Sequence, residues 1–160
     1  MELWQSKFQG LPYLTEKDDY PRNSKGEYLY LIAQINFEEV PKLEPYPEKG
    51  ILQFWIATDD LYGLDFDHQT KQDSFKIIYY PDIQKENLVK DFSFLPTPEY
   101  FPFADTYAEY SLEFHKKEMP VGIFDYRFHK FFPENEEKFA DAYIETYNDS
   151  GHRIGGYAYF

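Results

Sequence analysis

The sequence predicts a mainly β or α+β domain, in which an antiparallel β roll carries one or two helices near its C-terminal end. Short runs rich in aromatic and β-branched residues occupy the chain up to residue 115, and most of the eleven prolines fall between these runs. Helical periodicity comes only later. Because no helix alternates with the early strands, a parallel sheet of βαβ units is disfavoured.

Four segments are predicted strands: residues 28–37 (YLYLIAQINF), 51–58 (ILQFWIAT), 75–80 (FKIIYY) and 107–115 (YAEYSLEFH). The second follows the turn residue Gly50, and the third stops at Pro81. In the fourth, Tyr110, Leu112 and Phe114 alternate with polar residues. We therefore expect one face of that strand to pack and the other to meet water.

The stronger helical segment is residues 136–147. Phe139, Tyr143 and Tyr147 stand four residues apart, as on the apolar face of an amphipathic helix. Asn135 is the candidate N-cap. The helix is predicted to end before Gly151, since glycine commonly ends helices.

A shorter helix is predicted over residues 125–132, with Asp125 as N-cap and Pro133 as its limit. Asp125 and His129 are four residues apart, and His115 ends a predicted strand. A zinc enzyme needs three protein ligands and an open position, and no spacing here supplies a third ligand. The sequence favours a cap at Asp125 and a surface position for His129, and it predicts no metal and no cofactor.

Composition restricts the function classes. The net charge is −13, the chain has no cysteine, and 21% of its residues are aromatic. Such an aromatic content argues against disorder, and the negative charge argues against binding nucleic acid or anionic lipid. The apolar runs are far shorter than the ~20 residues of a membrane-spanning helix. We expect a cytoplasmic protein without a secretory signal.

The two ends of the chain resemble each other. Residues 7–14 (KFQGLPYL) and 153–160 (RIGGYAYF) align at a constant offset, with Gly10 on Gly156 and Tyr13 on Tyr159. The pattern is typical of a glycine turn that leads into an aromatic strand. It predicts a first structural repeat over residues 1–152 and the start of a second repeat, cut short, over residues 153–160.

The blocks KFQGLPYL, LIAQINF, ILQFWIATDDLYGLDFD and GHRIGGYAYF resemble the YwqG-like family of bacterial proteins, a domain of unknown function. The resemblance implies a mainly β roll with a pseudo-duplicated architecture, but it implies no activity and no catalytic residues. Gln9 stands where the family usually has Gly, so we expect it to adopt a strained positive φ. Ala158 replaces a usual Pro.

The densest polar cluster is the acidic loop, residues 59–73 (DDLYGLDFDHQTKQD). Its carboxylates could bind a hard cation, but the EF-hand order of ligands and turn glycine is absent. The alternative is a solvated loop between two strands, and this is the reading we favour. The weak candidate binding residues are Asp59, Asp60, Tyr62, Asp65, Asp67 and His68.

Two functional hypotheses follow. The first is a non-enzymatic module that binds a basic protein partner through an acidic surface with aromatic patches, because opposite charges accelerate encounter. The second is an enzyme acting on a small molecule or glycan with paired carboxylates of the acidic loop, which requires two carboxyl groups ~5–10 Å apart in a pocket. No nucleophile-elbow motif is present. Uncovered strand edges also predict self-association, such as a homodimer.

Overall fold

The structure is a computed structural model, and it describes residues 1–98, 100–101, 108–123, 125–131, 136–147 and 151–157. The chain divides into two compact units, Met1–His115 and Lys116–Phe160. The first unit contains the β-sheet and the second contains the helices. Among the described residues, no helix is long and apolar enough to span a membrane.

The first unit is built on an open, antiparallel five-stranded sheet with the strand order β4-β3-β2-β1-β5. The strands are β1 (Lys7–Phe8), β2 (Tyr30–Asn36), β3 (Ile51–Ile56), β4 (Phe75–Tyr80) and β5 (Tyr110–Ser111). A short 3-10 helix, Phe37–Glu39, follows β2. The mainly β or α+β class is therefore confirmed, whereas closure of the sheet into a roll stays a prediction.

The predicted strands over residues 28–37, 51–58 and 75–80 are confirmed as β2, β3 and β4. The prediction for residues 107–115 is too long, because only Tyr110–Ser111 is a strand among the described residues of that segment. Its pairing partner is the two-residue strand β1. That strand ends where Gln9 turns to a φ of +58°, so the ladder cannot extend further.

The core of the first unit lies on one face of the sheet. One cluster joins Leu29, Leu31, Trp55 and Ala57. Another joins Tyr13, Ile51 and Leu88. The polypeptide on either side of the strands covers this face, because Tyr13 precedes β2 and Leu88 follows β4.

The second unit contains α1 (Phe128–Phe131) and α2 (Glu136–Tyr147). The bounds of α2 match the prediction, while Asn135 and the side chain of Phe139 lie outside the description. The Tyr143 ring packs edge-on against the buried Phe128 ring at 5.0 Å and lies 4.8 Å from the Tyr147 ring. The predicted periodicity therefore does place an aromatic contact between the two helices.

The similar chain ends have similar backbone geometry where both are described. Gln9 and Gly10 have φ values of 58° and 77°, and the aligned Gly155 and Gly156 have 74° and 79°. The positive φ expected for Gln9 is confirmed. In each turn a basic side chain donates to the carbonyl four residues ahead. These pairs are Lys7 Nζ to Leu11 O at 3.1 Å and Arg153 Nη1 to Tyr157 O at 3.4 Å.

Candidate functional site

One row of residues across the sheet is polar and buried. The strand register places Lys7 opposite Gln34, and Gln34 opposite Gln53. Residues directly opposite in neighbouring strands share a face, so these three side chains lie side by side. All three are fully buried. Because an unpaired buried polar group costs roughly 1–3 kcal/mol, the row requires hydrogen-bond partners.

Those partners come from the first 14 residues of the chain. Gln34 Nε2 donates to the carbonyls of Leu3 and Gln5, both at 2.8 Å. Gln34 Oε1 accepts from the Tyr13 N–H at 2.8 Å. Gln53 Nε2 donates to the Tyr13 carbonyl at 2.6 Å and to Gln34 Oε1 at 2.8 Å. The polar row therefore fastens the N-terminal segment onto the sheet.

Lys7 completes this row as a structural residue. Its Nζ donates to the carbonyl oxygens of Glu2 at 3.2 Å and Leu11 at 3.1 Å. It also contacts Glu109 Oε1 at 2.7 Å. These contacts use the three N–H donors of the ammonium group, and the carboxylate balances its charge. Glu109, which the alternation in residues 107–115 placed on a water-facing side, is exposed, and its carboxylate pairs with the buried Lys7 ammonium.

The opposite face of the sheet carries apolar side chains. Where β3 pairs with β4, the facing residues are Leu52 and Tyr79, Phe54 and Ile77, and Ile56 and Phe75. Towards the other edge, Phe54 faces Ala33, Ala33 faces Phe8, and Phe8 faces Tyr110. We call these nine residues the apolar sheet face. It runs across all five strands.

Part of the apolar sheet face is open to solvent, although Tyr30 and Ile35, which lie opposite Ile56 and Leu52 on the same side, are buried. Ile77 is 47% exposed, Tyr79 42% and Tyr110 48%, and the other members are half-buried. Both core clusters of the first unit lie on the other side of the sheet. A solvated sheet face is ordinarily polar, and a contiguous exposed apolar surface marks an interaction site. On this sheet the inner side combines the apolar core clusters with the buried Gln34 and Gln53, and the outer side carries aliphatic and aromatic residues that are partly exposed.

Acidic side chains stand at the ends of the strands that bear this face. Glu38 follows β2, Asp59 and Asp60 follow β3, and Asp82 follows β4, and all four are exposed. Lys49, which precedes β3, pairs with Asp82 at 2.8 Å. The apolar sheet face therefore lies between strand ends at which negative charge is in excess.

The predicted acidic loop is largely exposed, and the carboxylates of Asp59 and Asp65 accept hydrogen bonds from neighbouring backbone N–H groups. Asp59 Oδ1 accepts from the N–H groups of Leu61 and Gly63, both at 3.0 Å. Asp65 Oδ1 accepts from those of Asp67 at 2.9 Å and His68 at 3.0 Å. These are the Asx turns that aspartate forms in loops.

The remaining candidates of the loop do not converge. Asp60, Tyr62, Asp67 and His68 are exposed, and Tyr62 has a φ of +52°. The contact from His68 Nδ1 to Asp65 Oδ2 measures 3.7 Å. Within the described part of the chain, no group of three or more His, Cys, Asp or Glu is placed to hold a metal ion.

Two carboxyl groups in this loop have shifted pKa values, and both shifts are downward. The backbone N–H of His68 lowers the pKa of Asp65. The hydroxyl and N–H of Ser24, at 2.7 and 2.6 Å, lower the pKa of Asp73. A general acid at neutral pH requires the opposite shift, a raised pKa. The loop geometry thus favours turn formation over acid–base chemistry.

Asp125 lies ahead of α1, where the sequence predicted a cap. Its Oδ1 accepts from the Arg127 N–H at 2.9 Å, and the Arg127 guanidinium lowers its pKa to about 2. The helix begins at Phe128, three residues later than predicted, because this Asx turn occupies the positions before it. The side chain of His129 lies outside the description, and the exposed His115 Nε2 contacts Glu113 Oε1 at 3.2 Å.

Comparison with protein families identifies the family of this chain. The model of a domain of unknown function, DUF1963, matches residues 6–160. The chain belongs to this family. A search among curated proteins found no match. Membership in DUF1963 brings no assigned activity, so any function must be argued from the surfaces described above.

Proposed function

We propose that this DUF1963 chain is a non-enzymatic, cytoplasmic protein-binding module, and that the apolar sheet face is its docking surface. The observation that supports this proposal is the orientation of the sheet. Gln34 and Gln53 are buried, whereas Ile77 and Tyr79 are 47% and 42% exposed. A partner that covered this face would remove apolar surface from water, at roughly 25 cal/mol per Å².

The partner that fits this surface is a basic protein with an exposed apolar stripe. The chain carries a net charge of −13, and acidic side chains lie at the ends of β2, β3 and β4. Opposite charge steers encounter and disfavours wrong partners. A second copy of the same chain would bring a second −13 to the contact, so a basic partner is favoured over a homodimer.

The alternative is an enzyme that uses the carboxylates of the acidic loop on a small molecule or glycan. The Asx turns at Asp59 and Asp65 and the lowered pKa of Asp65 weigh against it. An open groove of the first unit, lined by Tyr20, Tyr28 and Phe94 among others, is formed by residues outside this loop. We therefore rank it second.

The finer family assignment is also a proposal. The matching φ values at Gln9 and Gly10 and at Gly155 and Gly156 support a YwqG-like, pseudo-duplicated architecture in which residues 1–152 form one repeat. The equivalent basic contacts of Lys7 and Arg153 with carbonyls four residues ahead support it further.

The docking proposal is tested with a defined probe. The probe is a synthetic helix-forming peptide with a leucine stripe and lysines elsewhere, and the matched peptide has glutamates in place of lysines. We expect the basic peptide to bind the chain, and we expect Ile77→Ser with Tyr79→Ser to weaken this binding about tenfold, which corresponds to ~1.4 kcal/mol. The control variant is Leu64→Ser, which removes an aliphatic side chain of similar exposure (48%) from the acidic loop.

Titration calorimetry at low and high salt measures these affinities. Added salt should weaken the binding of the basic peptide, because it screens the attraction between opposite charges. Equal binding of both peptides, or equal loss in the double variant and Leu64→Ser, contradicts the proposal. Sedimentation velocity of the chain alone adds a third arm. A dimer that Ile77→Ser dissociates would identify a second copy as the occupant, in place of a basic partner.

A further inference from the structure

A second surface of the first unit has the features of a small-ligand site. An open groove of about 690 Å³ is lined by Tyr20, Arg22, Tyr28, Lys76, Ile78 and Phe94, among others. Lys76 and Ile78 come from β4 and face the core side of the sheet, since Lys76 is paired with Trp55. The groove is therefore separate from the apolar sheet face. Its volume lies in the range of ~300–1,000 Å³ that is usual for ligand sites.

The aromatic wall of the groove is held in place from behind. The Tyr20 ring packs edge-on against the buried Trp55 at 5.4 Å and against Phe94 at 5.4 Å. The Tyr20 hydroxyl donates to the Leu29 carbonyl at 2.9 Å. Tyr28 and Phe94 lie 5.5 Å apart with their rings tilted, and Phe94 is 45% exposed. A positioned, exposed ring of this kind can stack on a planar ligand.

Two basic side chains line the same groove, in a chain whose net charge is −13. The Arg22 guanidinium lies 3.6 Å above the centre of the Tyr28 ring and donates to the Gly26 carbonyl at 2.6 Å. Lys76 is half-buried and comes from β4. Among the described residues of the lining, Asp19 is the one that carries a carboxylate. The groove therefore combines an aromatic wall with an excess of positive charge.

We propose that this groove binds a small ligand that joins a planar ring to a phosphate group, the chemistry of a mononucleotide. The ring would stack on the exposed Phe94, and the phosphate would accept from Lys76 and Arg22. Base–aromatic stacking and charge-assisted hydrogen bonds are the two interactions that such a ligand offers. The overall negative charge of the chain disfavours a polynucleotide at the same place, because binding to it relies on neutralising many phosphates.

Adenosine monophosphate is the probe, and calorimetry or chemical-shift titration gives its affinity. We expect a Kd on the order of 0.1–1 mM. Phe94→Ala and Lys76→Met should each weaken it about fivefold or more, because each removes one of the two interactions. The matched control is Lys25→Met, which removes one exposed positive charge from a nearby turn outside the lining. Adenosine and inorganic phosphate, each carrying one half of the chemistry, should bind more weakly than the nucleotide.

Several results would overturn this inference. Among them are the absence of saturable nucleotide binding at about 10 mM and nucleotide binding that Phe94→Ala and Lys76→Met leave unchanged. An equal loss in Lys25→Met would also contradict it, and inorganic phosphate that bound as tightly as the nucleotide would exclude a role for the aromatic ring. Circular dichroism confirms that each variant is folded. Ile77→Ser should leave nucleotide binding unchanged, so this outcome is independent of the docking proposal.

Discussion

Replacing Gln34 by methionine tests whether the hydrogen bonds of the buried polar row stabilise the folded sheet. The substitution keeps a similar volume and removes an amide that makes four hydrogen bonds. The Tyr13 N–H loses its acceptor in a fully buried position, which costs roughly 1–3 kcal/mol. The carbonyls of Leu3 and Gln5 lie closer to water and lose roughly 0.5–1.5 kcal/mol each. We expect a loss of about 3 kcal/mol in the free energy of unfolding.

Urea denaturation measures this loss. With an m-value of about 2 kcal/mol/M, the midpoint should fall by about 1.5 M. Hydrogen exchange of the Tyr13 amide should accelerate in the same variant, because its acceptor is gone. The control is Gln69→Met in the exposed acidic loop, which should change stability by less than ~0.5 kcal/mol. If Gln34→Met is as stable as Gln69→Met, the Gln34 amide does not hold the N-terminal segment on the sheet. The argument that buried amides determine which side of the sheet faces outward then fails.

Three further predictions follow from buried groups of the first unit. Burial raises the pKa of Tyr80 above its usual value of 10, so stability that is complete below pH 10 declines as the pH rises beyond it. Tyr80→Phe should shift the alkaline unfolding midpoint upward in a pH titration followed by circular dichroism. Lys7→Met should cost about 2–3 kcal/mol in urea unfolding, and Glu109→Gln in the same chain should recover part of that loss, since the carboxylate would no longer be unpaired. Gly10→Ala should destabilise more than Gly26→Ala by about 1 kcal/mol or more. Both glycines have positive φ, but only at Gly10 would a Cβ meet Glu109 Cβ, at 2.6 Å.

The longer strands of the sheet were predictable because their ends carry local signals. Gly50 opens β3 and Pro81 closes β4, so periodicity and turn residues point to the same bounds. The two-residue strands β1 and β5 carry no such signal in their own sequence. Their pairing joins residues about 100 positions apart, and tertiary contacts such as Lys7 with Glu109 decide it.

The orientation of the sheet was not predictable from the same pattern. A strand alternates between two faces, and in β3 both sets are rich in apolar residues: Ile51 and Trp55 on one, Phe54 and Ile56 on the other. Hydrophobicity alone would place Gln53 on the wet side. The inner face is identified by the hydrogen-bond partners of Gln53, which are the side chains of Gln34 and Trp55 and the Tyr13 carbonyl of a distant segment. The acidic loop is uninformative in the same way, since a dense run of aspartates does not reveal that neighbouring N–H groups bond to Asp59 and Asp65.

Burying amides fixes the register of this sheet as well as its orientation. A slip by one residue would exchange the two faces and place Gln34 and Gln53 in water. It would also leave the carbonyl and N–H of Tyr13 without the partners that they have at 2.6 and 2.8 Å. The buried glutamines therefore oblige Phe54 and Ile77 to point outward. An isolated domain gains nothing from exposing them, so the persistence of an apolar outer face is most simply explained if another surface covers it. Two substitutions test the link between the buried amides and the apolar sheet face. Gln34→Met should lower the free energy of unfolding, and Ile77→Ser should lower only the affinity for the basic peptide.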